Sequence, residues 1–282
     1  MIYAFREFFY YFKRLISNYK GKERVVMAST YTGLFLKYIF FVKLLRLKIL
    51  KTKFLGFKVN FFEFYTFYGL FEEIFLTKQY YFETQEAAPK ILDCGSNMGM
   101  SVLYFKYLYK NAKITAFEPD PETFRLLKEN VEINGINNAT IVNAALYDSE
   151  KTIDFYIPDK NKGSLQMSIS ENRNSKGNKL PVKTAMLSSY INEKIDFLKM
   201  DIEGAEDAVM NEITASKKIN EIKEMVIEIH HNIDMSKEIT SVILDQAVKA
   251  GFKYQISTNI LPVFKKNTFQ DILLYAYRNT EK

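Results

Sequence analysis

The chain has 282 residues, 48% of them hydrophobic and 15% aromatic, enough to bury a full α/β core and still carry an appendage. A single cysteine, Cys94, excludes an intramolecular disulfide, and two histidines are too few for a Cys/His zinc pattern, so a reducing cytoplasm is the expected compartment. The formal charge of +6 is unevenly spread: the first sixty residues hold thirteen Lys and Arg against Glu7 and Glu23, a balance of +11 that leaves −5 for the rest. A mildly acidic catalytic region argues against nucleic acid as partner, because a groove that follows phosphates sets its lysines beside the active site.

Residues 1–52 are predicted to be a basic, aromatic, mainly helical extension, and residues 53–282 the catalytic domain. Phe5, Phe8, Phe9, Tyr10, Tyr11 and Phe12 open the chain. Arg6 interrupts what would be the apolar core of a signal peptide. From Tyr31 to Leu50, the residues Tyr31, Leu34, Phe35, Tyr38, Val42, Leu45 and Ile49 recur at helical spacing, with Lys37, Lys43, Arg46 and Lys48 outside that stripe. Four cations in this stretch disfavour a membrane span, each costing about 2.5 to 3.5 kcal/mol near the bilayer centre. Two readings remain: a helix packed on the domain, or a helix on anionic lipid, which would make the protein peripheral on the inner membrane face.

Phe54 to Phe62 is predicted as strand and turn, and Glu63 to Leu76 as a helix. Glu72 and Glu73 stand there among aromatic residues, where a buried carboxylate must find a partner. From Lys90 strands and helices alternate, which implies a mostly parallel sheet with helices on both faces. Strands are expected near 90–94, 114–118 and 140–143. Asp120 should cap a helix with Pro121 at its first position and Gly135 past its end. Lys151 to Ile157 and Leu180 to Ala185 are predicted to pair across the polar tract 159–179, which would carry Ser164 and Gln166 near the substrate.

The apolar strand Ile91-Leu92 runs into Asp93-Cys94-Gly95-Ser96-Asn97-Met98-Gly99, the pattern D-x-G-x-N-x-G. A dinucleotide fingerprint would need glycine at Asn97, and a P-loop would need a Gly-Lys-Ser/Thr ending. A bulky nucleoside without pyrophosphate fits better. S-adenosylmethionine offers an ammonium for Asp93, a carboxylate for the backbone donors around Gly95, Asn97 and Gly99, and ribose hydroxyls for Glu118 at the end of the next strand. Asn143 and Ala144, at the end of the third strand, are small enough to lie against an adenine. A nicotinamide-dependent oxidoreductase is the rival enzyme reading, and Asn97 speaks against it.

The second focus is Ile195-Asp196-Phe197-Leu198-Lys199-Met200-Asp201-Ile202-Glu203-Gly204-Ala205-Glu206. In an extended strand Lys199, Asp201 and Glu203 share one side. The strand Lys223 to His230 ends with Glu228 and His230 on one side, and His231 on the other. If the two strands are neighbours, these groups crowd the carboxyl edge of the sheet, where ligands of open α/β folds bind. In-line methyl transfer needs an aligned oxygen nucleophile and a proton acceptor. His230 is one candidate base and Asp201 another, unless Asp201 holds the donor, and Lys199 is counted with them as a candidate catalytic residue. A divalent ion on Asp201, Glu203 and Glu228 is a third option, not the favoured one. A purely structural hydrogen-bond network is the fourth.

Over about residues 60–278 the chain resembles the FkbM-type family of S-adenosylmethionine-dependent methyltransferases. The matching stretches are Glu72-Glu73-Ile74-Phe75, Asp93 to Gly99, Ala116-Phe117-Glu118-Pro119-Asp120-Pro121, and Lys199-Met200-Asp201-Ile202-Glu203-Gly204-Ala205-Glu206. The resemblance implies the Rossmann-like class I methyltransferase fold, an α/β seven-stranded sheet whose last, antiparallel strand falls near Ile272 to Tyr277. It also implies O-methylation of a hydroxyl on a sugar, glycan or glycolipid. Secondary-metabolite or lipid hydroxyls are the alternative acceptors, and a membrane-surface binding protein with an inactive methyltransferase-like domain is the alternative from another class.

Overall fold

The structure is a computed structural model that describes residues 2–157, 178–234, 236–258 and 268–278. In chain order the elements are α1 (Ile2–Asn18), α2 (Gly21–Lys37), β1 (Lys51–Phe54), β2 (Phe57–Asn60), α3 (Phe64–Phe71), β3 (Lys90–Cys94), α4 (Met100–Leu108), β4 (Lys113–Phe117), α5 (Pro121–Ile133), β5 (Ala139–Val142), β6 (Ala145–Leu146), β7 (Thr152–Ile157), β8 (Asn178–Ala185), β9 (Ile195–Met200), α6 (Glu206–Ala215), β10 (Ile222–His231), α7 (Ile239–Lys249), β11 (Lys253–Thr258) and β12 (Gln270–Tyr277). Packing divides the chain into two compact units. One comprises Met1–Tyr81, Met98–Leu108 and Arg125–Asn137, and the other the remaining residues. The packing boundary therefore does not fall between residues 52 and 53, where composition placed it: the extension shares its unit with everything to Tyr81.

The first unit is built on aromatic side chains. Phe8 stacks on Tyr31 and Phe35, Tyr31 on Tyr68, and Tyr38 on Phe64 and Tyr68. Tyr31, Leu34, Phe35 and Tyr38 are buried, as the helical stripe requires, but the stripe fails beyond them. The chain widens into π-helical turns from Tyr38 to Leu44 and leaves the helix there, so a 3.6-residue period no longer returns Leu45 to the packed face. Leu55 and Gly56, both with positive φ, close the β1–β2 hairpin. Of the two acids flagged among aromatic residues, Glu72 is buried and accepts a 2.6 Å hydrogen bond from the Tyr31 hydroxyl, and Glu73 is exposed. Burial lifts the Glu72 carboxyl to about 8, although the Tyr31 hydroxyl favours its ionised form.

In the second unit seven strands run in the order β11-β12-β10-β9-β3-β4-β5. Only β12 is antiparallel to its neighbours, and it is the last strand, placed where the family resemblance implies it. All six residues of β9 are buried, as a strand covered on both faces must be. Val209, Met210 and Ile213 of α6 and Ile239, Ile243 and Ala247 of α7 share one apolar cluster with Leu198, Met200, Ile227, Ile229 and Leu274 of the sheet. Asp120 caps α5 as predicted, accepting from the Thr123 N–H at 2.8 Å and the Thr123 hydroxyl at 2.6 Å. β7 and β8 pair antiparallel, and β6 joins β8. Ser164 and Gln166, proposed from sequence to lie near the substrate, fall outside the described residues.

Candidate functional site at the carboxyl edge of the sheet

β3 and β9 are neighbours, and the loops that leave them meet so closely that a side chain at Gly95 has no room. A Cβ there would lie 1.8 Å from the Asp201 carbonyl oxygen. Gly95 sits at φ +84, and the Asp201 N–H closes the junction on the Cys94 carbonyl at 3.1 Å. The first glycine of the loop is thus demanded by the protein itself. Asn97 adopts φ +48 and donates its N–H to Glu118 Oε2 at 3.0 Å, and the Asp120 N–H donates to Glu118 Oε1 at 2.9 Å. Each carboxylate oxygen of Glu118 keeps a further lone pair for a ligand hydroxyl. Burial raises the Glu118 carboxyl to about 8, against the two N–H donors that favour its charge. Gly99, at φ +91, opens α4 in the other unit, where a Cβ would meet the Leu127 side chain at 2.8 Å.

Three assignments change once side chains are placed. Asp93 is fully buried, and its neighbour is internal: the Lys199 ammonium stands 3.6 Å from Asp93 Oδ1. Lys199 also donates to the Cys94 and Gly95 carbonyls at 3.1 and 2.6 Å and lies 3.6 Å from Asp201 Oδ2. Burial works against the Lys199 charge, but Asp201 and Asp93 more than offset it and hold its pKa above the usual value. Lys199 therefore keeps its proton and pins two strand ends together. It has no lone pair with which to act as a base. Asn143 turns its amide onto the Glu118 and Pro119 carbonyls at 2.9 and 3.0 Å, and Ala144 is buried in the apolar cluster, so neither presents the flat surface expected for an adenine. Cys94 is also buried, which pushes its thiol up and keeps it a small hydrophobe.

β10 lies beside β9, and its His230 is the hub of the second cluster. His230 is only 2% exposed. Its Nδ1 meets Glu206 Oε1 at 2.8 Å, and its Nε2 meets Glu203 Oε2 at 3.0 Å, with Asp201 Oδ1 at 3.7 Å and Asp271 Oδ1 at 3.9 Å. Burial alone would depress the imidazole, but Glu206, Glu203 and Asp201 raise it to about 10. Both ring nitrogens are thus engaged by carboxylates, an arrangement that favours the imidazolium over a proton-accepting ring. The strand does not extend as far as Glu203 either. Glu203 stands at φ +59 and Gly204 at φ +106, so a left-handed turn, not β alternation, delivers the Glu203 carboxylate to the ring.

Asp201, Glu203 and His230 each offer one ligand atom within 4.8 Å of the others, and Glu228, His230 and Asp271 form a second such group. Glu228 thus groups with Asp271 instead of with Asp201 and Glu203, the set expected from sequence. Two residues of this cluster had no assigned role in the sequence. Glu206, wholly buried, grips the Gly204 N–H at 3.1 Å and the Ile202 N–H at 3.3 Å as well as the His230 ring. Its signal is an acid placed two residues after a glycine turn at the start of a helix. Asp271 faces His230 across the antiparallel β10–β12 ladder, a pairing no local pattern announces.

Six parallel strands with one antiparallel strand inserted beside the edge, and a glycine loop and acids at their carboxyl ends, define the Rossmann-like class I methyltransferase fold. The profile of the Methyltransferase FkbM domain family matches residues 93–254, more than half of the chain, and the chain belongs to that family. It is 28% identical over 159 residues to Methyltransferase 1 of Beauveria bassiana (strain ARSEF 2860), covering 49% of this chain and 64% of that protein. To the 2-O-methyltransferase NoeI of Sinorhizobium fredii (strain NBRC 101917 / NGR234) it is 28% identical over 138 residues, covering 43% of this chain and 56% of that one. The chain matches less than two thirds of the length of these curated relatives. Among solved structures, Methyltransferase FkbM from Methylobacillus flagellatus KT superposes with a TM-score of 0.45 at 17% identity, over 76% of this chain and 54% of that one.

Proposed function

We propose that the chain is an S-adenosylmethionine-dependent O-methyltransferase acting on a hydroxyl of a sugar, glycan or glycolipid. The observation that carries this is the meeting of a glycine loop braced by Glu118 with a charged cluster, Asp201, Glu203 and His230, at one sheet edge. The donor, when bound, supplies a methyl group on a sulfonium. Glu118 has acceptor capacity left for ribose hydroxyls, and the backbone around Gly95 and Ser96 suits a carboxylate. With Asp93 sealed against Lys199, the half-buried Asp201 is the better acid for the donor's ammonium.

Proton removal from the acceptor then falls to Glu203. The His230 ring orients its carboxylate at 3.0 Å, and Glu206 fixes the ring from the other side. His230 is a positioning residue in this scheme. The similarity to NoeI, a 2-O-methyltransferase, supports a hydroxyl acceptor, and secondary-metabolite or lipid hydroxyls belong to the same class. Incubating the protein with methyl-labelled donor and separate glycan and lipid extracts should place label on one fraction. Label in neither, with wild-type protein that binds donor, would remove the proposed acceptor class.

A further inference from the structure

Residues 36–51 combine two properties that a water-facing surface seldom joins. Phe40, Phe41, Leu44, Leu45, Leu47 and Leu50 are all exposed, and Lys43, Arg46, Lys48 and Lys51 are exposed among them. Scattered apolar residues at a surface are ordinary, but six within eleven positions make a patch that needs an occupant. No Asp or Glu occurs between Glu23 and Glu63, so the local charge is wholly positive.

We propose that this segment docks on an anionic lipid surface, its phenylalanines and leucines entering the headgroup region and its cations meeting the phosphates. The proposal is independent of the reaction. A second copy of the chain would cover the apolar side chains only by bringing two sets of cations together. A neutral apolar partner would leave those cations without counter-charge. Anionic lipid satisfies both properties at once.

The same region holds a helical stretch, Gly21–Leu44, that is apolar and long enough to cross a membrane. Its packing points to lying on the surface. Met27, Tyr31, Leu34, Phe35 and Tyr38 are buried in the aromatic core of their own unit, and the Tyr31 hydroxyl supports the buried Glu72. Withdrawing the helix into a bilayer would dismantle that core. The segment from Phe40 onward carries no such obligation.

Flotation of the full chain with vesicles tests the proposal. Phosphatidylcholine vesicles containing phosphatidylglycerol should carry the protein, phosphatidylcholine alone should carry far less, and added salt should release it. Lys43→Glu/Arg46→Glu/Lys48→Glu should weaken partitioning by about a hundredfold or more. Phe40→Ser/Phe41→Ser/Leu44→Ser should weaken it by about tenfold or more. These positions are exposed, so both variants should keep the wild-type melting temperature, and a milder Lys43→Ala/Arg46→Ala/Lys48→Ala variant should fall between. Equal flotation on neutral vesicles, insensitivity to the charge reversals, or no flotation would overturn the proposal. Resistance to alkaline carbonate extraction would overturn it in favour of a span. Concentration-dependent dimerisation abolished by the serine variant would overturn it in favour of an interface between copies.

Discussion

Glu72 in the aromatic unit and His230 in the sheet unit are both buried titratable groups, and the two regions treat them in opposite ways. Glu72 has hydroxyls and rings around it with Glu7 and Glu73 nearby, and it is pushed to about 8, toward the neutral carboxylic acid. His230 has four carboxylates within reach, and three of them, Glu206, Glu203 and Asp201, push it to about 10, toward the charged ring. Burial opposes charge in both places. The outcome differs because only the sheet edge supplies opposite charge. A region that neutralises its acid is suited to packing. A region that concentrates charge in one buried cluster is suited to holding and moving a proton.

The contrast is broken most sharply at Glu206. Glu206→Ala leaves the His230 imidazolium without its sealed partner and frees the Ile202 and Gly204 N–H groups, and it should cost about 3 to 5 kcal/mol in urea unfolding. Gly95→Ala comes next. Its Cβ would fall 1.8 Å from backbone, so the β3 and β9 ends must separate, at a cost of about 3 kcal/mol together with loss of donor binding. Tyr31→Phe removes one hydrogen bond to a buried carboxyl, for about 1 to 2 kcal/mol.

Titration separates Glu72 from His230 by pH window, with Glu118 of the sheet unit, also raised to about 8, sharing the window of Glu72. Glu72 and His230 both have folded pKa values above their ordinary ones, so each contributes stability that is complete below the ordinary value and lost as pH rises through the folded one. For Glu72 that loss runs from 4.5 to about 8, and for His230 from 6.5 to about 10. Thermal melts across pH should show Glu72→Gln reducing the slope in the lower window, whose remainder belongs to Glu118, and His230→Gln reducing it in the upper. If either substitution flattened both, the regions would not be independent.

The parts of the sheet unit that were legible in the sequence are those set by local pattern. The strand–loop–helix at Asp93 to Gly99 and the Asp120 cap with Pro121 follow from periodicity or turn chemistry, and the final strand near Ile272 from the family resemblance. The adjacency of β9 and β10 entered the sequence reading only as a condition, and the sheet meets it. What escaped was decided by approach in space. Nothing near Asp93 says that Lys199, from β9, will seal it. Nothing near Gly95 says that the Asp201 carbonyl will occupy the place of its Cβ. The Glu203 turn replaced alternation because Gly204 follows it, and Asp271 reached His230 only through cross-strand register. In the aromatic unit the stripe from Tyr31 to Ile49 was readable only as far as Tyr38, where the helix changes its period.

Calorimetric titration with S-adenosylhomocysteine tests the central claim most directly, because it asks whether the braced loop holds the nucleoside before any acceptor is known. Wild-type protein should bind one equivalent saturably, and Glu118→Ala, which loses both the ribose acceptor and the brace on the Asn97 N–H, should bind about tenfold or more weakly. Absence of saturable binding to folded wild-type protein, or undiminished binding by Glu118→Ala, would contradict the account.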